Sequence, residues 1–220
     1  MSHIGLHQPS MKHDSDPTFG QLFVFEGPDD VGKSTLAGML CQHLSEAGQR
    51  TELLSFPGNE SGTLGELVYR LYHDPGEFGL SNVSSIAMQL VVTAAHIEVI
   101  EARIKPLLQA GVNVVLDRFW WSTWVYANVQ GVSQPQRDKM IEIELLSWED
   151  IRPTLVFLVL RPEPFLDQPA NHPWHSILAF YEQLFELQKA NVHTQVVLND
   201  RGIEQAFQTV VLHVEGRELL

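Results

Sequence analysis

Cysteine is all but missing from this chain. Cys41 stands alone among 220 residues, so no disulfide can form within it, and a reducing, cytoplasmic setting is the simplest reading. Cations are scarce as well: 14 Lys and Arg face 27 Asp and Glu, a formal charge of −13. That disfavours a reader of a nucleic-acid polymer, which neutralises phosphates with a surplus of Lys and Arg, and no such partner is expected. It does not exclude a single nucleotide, because a few oriented backbone N–H groups hold phosphate locally. Purely apolar stretches such as Leu155 to Leu160 are strand-sized, far short of the ~20 residues of a membrane helix, and no membrane partner is expected. A signal-peptide core is also lacking. Met1 to Thr18 is polar with His3, His7 and His13, which reads as a disordered, solvated tail over residues 1–20 in preference to a metal site.

What remains, 44% hydrophobic overall, suits one α/β domain over residues 21–220. Short apolar runs with β propensity predict strands at 22–25, 51–56, 112–116, 154–160 and 195–198. Amphipathic spacing predicts helices at 34–47, 64–71, 84–110, 122–128 and 135–147, and a last one after Asn199-Asp200. His73 to Asn82 reads as a loop, and Pro169, His172 and Pro173 mark a short lid at about 165–175. Strands alternating with helices imply parallel pairing through right-handed crossovers, hence a five-stranded parallel sheet in a three-layer α/β fold.

Between the first strand and first helix, Gly27-Pro28-Asp29-Asp30-Val31-Gly32-Lys33-Ser34 fits G-x-x-x-x-G-K-[ST], followed by Thr35. The glycines let successive N–H groups converge on phosphate oxygens, and the helix adds its positive end. Gly27, Asp30, Val31, Gly32, Lys33, Ser34 and Thr35 are therefore expected to cradle a triphosphate, with Lys33 on the β- and γ-phosphates and Ser34 on Mg²⁺. A chance match in a Gly-containing turn would lack this strand-to-helix context. No N-K-x-D tetrapeptide of guanine-specific GTPases and no transporter-type LSGGQ occurs.

A second segment, Val114-Val115-Leu116-Asp117-Arg118-Phe119-Trp120-Trp121-Ser122, ends a core strand with an acid and a base. Asp117 can hold Mg²⁺ or its water beside the phosphate loop, and Arg118 offers a planar fork to phosphate oxygens. The alternative is a surface Asp–Arg pair closing a strand.

Together with Phe56-Pro57-Gly58, Gly62-Thr63-Leu64-Gly65-Glu66, Ile104-Lys105-Pro106-Leu107 and Arg118-Phe119-x-x-Ser122-x-x-Val125-Tyr126, these segments resemble the thymidylate kinase family over about Gln21 to Val214. The resemblance implies a P-loop NTPase fold and Mg²⁺-dependent transfer of the γ-phosphoryl group of ATP to a (deoxy)pyrimidine nucleoside monophosphate, in a homodimer. It implies Lys33, Asp29 and Arg118 as catalytic residues, with Arg118 gripping the acceptor phosphate. Asp29, Phe56, Val92, His96, Arg118, Thr123 and Tyr126 would contact the acceptor, and Ser34 and Asp117 the metal.

Four departures bear on function. Family members place a catalytic Arg in the phosphate loop or the lid; here Asp30 stands in the loop, Phe165 to His175 contains no Arg or Lys, and Arg161 is the remaining candidate. The Arg expected after Phe-Pro is replaced by Gly58-Asn59-Glu60. Val92 and His96 occupy the positions of a base-stacking Phe and a base-bonding Arg. His96 is either a base contact in place of that Arg or a helix residue facing solvent or a partner subunit. Trp120, Trp121 and Trp124 are read as core or dimer packing in preference to base stacking. Glu98, Glu101, Glu142, Glu144, Glu149 and Asp150 are read as solvated helix faces. Two other activities stay open: a deoxynucleoside kinase of the same superfamily, and a degenerate nucleotide-binding sensor or scaffold.

Overall fold

Five short apolar segments pair into one parallel sheet in a computed structural model that describes residues 19–164, 169 and 172–216. They are β1 (Leu22–Glu26), β2 (Thr51–Ser55), β3 (Asn113–Asp117), β4 (Leu155–Leu160) and β5 (Thr194–Leu198), in the order β2-β3-β1-β4-β5. Every residue of β1 and β3 is buried, as expected of strands covered on both faces. The edge strands expose Leu53 and Leu198.

Alternation along each strand divides the core in two. Phe23, Phe25, Val115, Phe157 and Val159 pack on Leu36, Leu40 and Leu44 of α1 (Lys33–Glu46) and on Ala206 and Val210 of α8 (Ile203–Val214). Leu22, Val24, Val114, Leu116, Val156 and Leu158 face the other helical layer. That layer comprises α2 (Leu64–His73), α3 (Ser85–Val99), α4 (Lys105–Gln109), α5 (Trp120–Val129), α6 (Gln134–Trp148) and α7 (Trp174–Gln188). Trp120, Trp121 and Trp124 lie in its interior, 2%, 0% and 4% exposed, so their role is core packing.

The expected helix over 84–110 is interrupted by a π-helical turn, Ile100–Ile104. Pro106 has no N–H to give, and the Lys105 N–H reaches back five residues to the Ile100 carbonyl, a widened turn that accommodates the pyrrolidine ring. The whole rod, Ser85–Gln109, is long and apolar enough to cross a bilayer by length and composition alone. In this fold Ile100, Ile104 and Leu108 anchor it to the core.

Two regions differ from expectation. Helix α7 fills a stretch the sequence left without an element. It takes in Trp174 and His175 of the expected lid, of which 165–168, 170 and 171 lie outside the described residues. Residues 1–18 of the expected tail lie outside them too. Gly20, the last residue assigned to that tail, donates its N–H to the Leu108 carbonyl at 2.8 Å.

Candidate active site

The crevice at the carboxyl ends of β1, β3 and β4 is where the crossovers leaving the neighbouring strands β1 and β3 run over opposite faces of the sheet, the usual place for a ligand in an open α/β fold. There Gly27 adopts φ 140°, and a Cβ on it would lie 2.1 Å from the Val159 carbonyl oxygen. Only glycine lets the chain leave β1 this close to β4. Gly32, at φ 95°, turns the chain into α1. Asn199, from the end of β5, is fully buried and donates through Nδ2 to the Val31 carbonyl at 2.8 Å. It braces the loop from a distant part of the chain, and sequence reasoning missed it.

Lys33 is 4% exposed, with Nζ 2.5 Å from the Pro28 carbonyl oxygen. Burial, and then the Arg118 charge, push its ammonium down to about 8, against the pull of Asp29, Asp117 and Glu26. The Ser34 hydroxyl donates to Oδ2 of Asp117, while Oδ1 of Asp117 is buried with no partner among the described residues. A hydroxyl beside an unpartnered carboxylate oxygen fits Mg²⁺, a hard cation that takes one or two protein oxygens and completes its shell with water and phosphate. Val31 is buried, Asp30 half-buried at φ 55°, and Thr35 exposed on the first turn of α1.

Arg118 follows β3 with φ 76°, a left-handed conformation that costs a non-glycine residue energy and occurs at functional sites. Its guanidinium pairs with Oδ1 of Asp29, donates to the Ser122 hydroxyl at 3.1 Å and lies 5.8 Å from the Tyr126 ring centroid. The Tyr126 hydroxyl donates to Oδ2 of Asp29 at 2.5 Å. Burial alone would raise the Asp29 carboxyl, but Arg118 and Lys33 outweigh it and hold it below the usual range. Burial pushes the Tyr126 hydroxyl up.

Beneath them lies a group the sequence reading did not single out. Glu26, fully buried at the end of β1, accepts the N–H groups of Phe119 (2.6 Å) and Ser122 (2.9 Å) and the hydroxyls of Ser122 (2.8 Å) and Tyr181 (3.0 Å). It thereby caps α5 from another strand, which is why that helix starts at Trp120 rather than Ser122. Burial raises its carboxyl despite Arg118 and the Ser122 bonds. Its signal was an acid ending an apolar run just before Gly27.

All seven residues expected to contact the acceptor (Asp29, Phe56, Val92, His96, Arg118, Thr123 and Tyr126) line one cavity of about 510 Å³. Tyr69, Tyr72 and His73 of α2 form another part of its wall; they went unremarked in the sequence. The three tryptophans of α5 do not line it. His96 is not turned to solvent or to a partner subunit: it is 2% exposed, stacked on Phe56 with centroids 4.1 Å apart. Its Nδ1 meets Glu144, and Glu144 is fully buried, not part of a solvated face. Glu101 and Glu149 instead share Lys105, at 2.8 and 2.6 Å. Arg161 is engaged by main-chain carbonyls of Asn199 (2.5 Å) and Glu163 (3.0 Å).

The family model described as thymidylate kinase matches residues 25–165. A thymidylate kinase of Chlorobaculum parvum is 36% identical over 149 residues, 66% of this chain and 64% of the relative. One of Chlorobium chlorochromatii is 35% identical over 66% of this chain and 62% of the relative, so the match spans less than two thirds of these relatives. A probable thymidylate kinase of Thermococcus onnurineus is 28% identical over 88% of this chain and 91% of its own. Among solved structures, thymidylate kinase from Ehrlichia chaffeensis superposes with a TM-score of 0.72 at 20% identity, covering 89% of this chain and 99% of that one. Thymidylate kinase from Candida albicans gives 0.68 at 22%, covering 90% and 92%. At these identities the structural likeness speaks to the fold.

Proposed function

The chain belongs to the thymidylate kinase family, and from that membership and the site we propose that it is an ATP-dependent nucleoside-monophosphate kinase. The γ-phosphoryl group passes to the phosphate of a (deoxy)pyrimidine monophosphate. The observation that carries this is Arg118, which lines the 510 Å³ cavity and also pairs with Asp29 of the phosphate loop. One cation thus stands where a phosphate in the cavity would meet a phosphate in the loop.

An acceptor phosphate oxygen bonds to the γ-phosphorus as the bond to the β–γ bridging oxygen breaks, and ADP departs with that oxygen. The chain does little covalent work; it positions and neutralises. The loop N–H groups around Gly32 and the Lys33 ammonium hold the donor phosphates, and Arg118 holds the acceptor phosphate. Ser34 and Asp117 would hold Mg²⁺, which would supply neutralising charge to the donor phosphates. Tyr126 and Asp29 fence the sugar side, and Phe56, Val92, Thr123 and His96 enclose the base. A homodimer fits the apolar side chains of Leu90 on α3 and of Ile143 and Leu146 on α6, all surface-exposed, and a cytoplasmic setting fits the lone Cys41.

Purified protein with ATP, Mg²⁺ and a panel of monophosphates should yield ADP and a diphosphate with at least one acceptor; no turnover with any rejects the proposal. The engagement of Arg161 by carbonyls favours a second reading, in which no Arg serves the transferred group and the chain binds nucleotide as a sensor. ATP binding by calorimetry without acceptor-dependent turnover would support that reading. Turnover of nucleosides instead of monophosphates would identify a deoxynucleoside kinase.

A further inference from the structure

The backbone of Arg118 is gripped from both sides. Its own N–H donates to the Phe25 carbonyl at 2.9 Å, and the next N–H, of Phe119, donates to Oε1 of Glu26 at 2.6 Å. Adjacent residues of β1 thus hold the chain before and after the residue whose φ is 76°. A non-glycine residue persists in that left-handed region only where its surroundings over-determine it.

The guanidinium is tied to the same carboxylate. Nη1 of Arg118 donates to the Ser122 hydroxyl at 3.1 Å, and that hydroxyl donates to Oε2 of Glu26 at 2.8 Å. The Ser122 N–H meets Oε1 at 2.9 Å. Phe119, in the N-cap position of α5, makes no side-chain cap, so these N–H groups take Glu26 as their acceptor. Oε2 also accepts the Gly27 N–H at 3.3 Å and the Tyr181 hydroxyl at 3.0 Å. Five donors on one carboxylate exceed what capping a helix requires. They join the first residue of the phosphate loop to the backbone and, through Ser122, to the side chain of Arg118. Glu26 is fully buried and outside the wall of the 510 Å³ cavity, so any effect it has on an acceptor passes through Arg118.

We propose that Glu26 is a positioning residue for phosphoryl transfer: it sets Arg118 at a fixed place relative to the phosphate loop, so that the guanidinium is presented to the acceptor phosphate. This deepens the kinase reading and rests on it. The reach of the Glu26 side chain matters more than its charge, because the contacts that hold Arg118 are hydrogen bonds at fixed distances.

The full chain is tested by steady-state kinetics with ATP, Mg²⁺ and whichever monophosphate of the panel turns over. Glu26→Asp keeps the charge but withdraws it by one methylene, and should lower kcat/KM for the monophosphate about 10²-fold. Glu26→Gln keeps an oxygen within reach of the Phe119 and Ser122 N–H groups and should lower it less than about tenfold. A residue acting through its charge would reverse that order. In both variants the calorimetric Kd for ATP should stay within about threefold of wild type, which general damage to the fold would not spare. In an Arg118→Ala background, Glu26→Asp should lower kcat/KM by less than about threefold further, because the group it positions is gone. An Asp variant no worse than the Gln variant, a matching loss of ATP affinity, or the same factor lost with and without Arg118 overturns the proposal. Should Glu26→Asp not fold, Ser122→Ala, which deletes the hydroxyl between Arg118 and Glu26, enters the same cycle. It should lower kcat/KM about tenfold alone and less than about twofold without Arg118, and equal losses overturn the proposal. Should wild type turn over no monophosphate, the kinase reading fails, and the cycle is read in the calorimetric Kd for dTMP. Wild type that binds no dTMP overturns the proposal as well.

Discussion

Raising the pH from 7 to 9.5 should act on Lys33 before any ordinary lysine. Burial and Arg118 bring its ammonium down to about 8. A group at that value is roughly 90% charged at pH 7 and roughly 10% at pH 9, whereas an ordinary lysine at ~10.4 would still be about 96% charged at pH 9. If the donor phosphates require the ammonium, ATP affinity of the free protein should fall about tenfold per unit above pH 8. Bound ATP sets opposite charge beside Nζ and draws its pKa upward. The descending limb therefore belongs to Kd and to kcat/KM for ATP, while kcat at saturating ATP holds level to higher pH. Stability moves the other way. The folded value lies below the ordinary 10.5, so the unfolded chain holds the extra proton between pH 8 and 10.5. The penalty of burying the charge is full below pH 8 and is relieved as the pH climbs through that window. Calorimetric titration of ATP at half-unit steps, with a thermal melt at each, measures both. A Kd that stays flat from pH 7 to 9.5 would refute the reasoning, as would a loss of affinity that merely follows a loss of fold.

Gly27→Ala places a methyl 2.1 Å from the Val159 carbonyl at φ 140°, so thermal unfolding should show a loss of about 3 kcal/mol or more and ATP binding should disappear. Asp117→Asn keeps a partner for the Ser34 hydroxyl but removes the anionic ligand. It should lower kcat roughly 10²-fold or more and abolish the Mg²⁺-dependent part of ATP affinity, while metal-free ATP binding stays within about threefold of wild type by calorimetry. Tyr181→Phe deletes a buried hydroxyl shared by Ser122 (2.9 Å) and Glu26 (3.0 Å). Urea unfolding should record a loss of about 1–2 kcal/mol, and a loss below about 0.3 kcal/mol would mean that Glu26 is satisfied without it.

What the sequence disclosed and what it hid divide along physical lines. The strands and the phosphate loop were legible because buried runs such as Leu22 to Phe25 and the G-x-x-x-x-G-K-[ST] spacing encode local geometry. Asp117 and Arg118 were legible because a charged pair ending an apolar strand has few purposes. Helix α7 was overlooked although Trp174, Ile177, Tyr181, Leu184 and Gln188 are buried at spacings of three and four, the period of a core-facing helix. Glu26, Asn199 and Glu144 were beyond periodicity. Each is a single polar residue whose partner lies far off in sequence: Ser122 for Glu26, Val31 for Asn199, and His96 for Glu144. A helical glutamate normally signals solvent, and only tertiary packing of α6 against α3 turns this one inward.

The charge of −13 and a nucleotide site are reconciled by where the cations sit. At physiological salt a surface charge is felt over about 8 Å, so distant carboxylates bear little on the crevice. Within it, buried Lys33 rests on the Pro28 carbonyl and half-buried Arg118 on Asp29. In the proposed reaction a triphosphate and an acceptor phosphate would therefore exchange places with partners already present, a carbonyl dipole and a carboxylate. Charges fixed in advance in a low-dielectric crevice act more strongly than the same charges in water. Burial raises the Glu26 carboxyl beneath them, while Asp29 stands against Arg118 and Asp117 against the Ser34 hydroxyl. The phosphates would enter by substitution, into a crevice whose charged groups have partners before a ligand arrives.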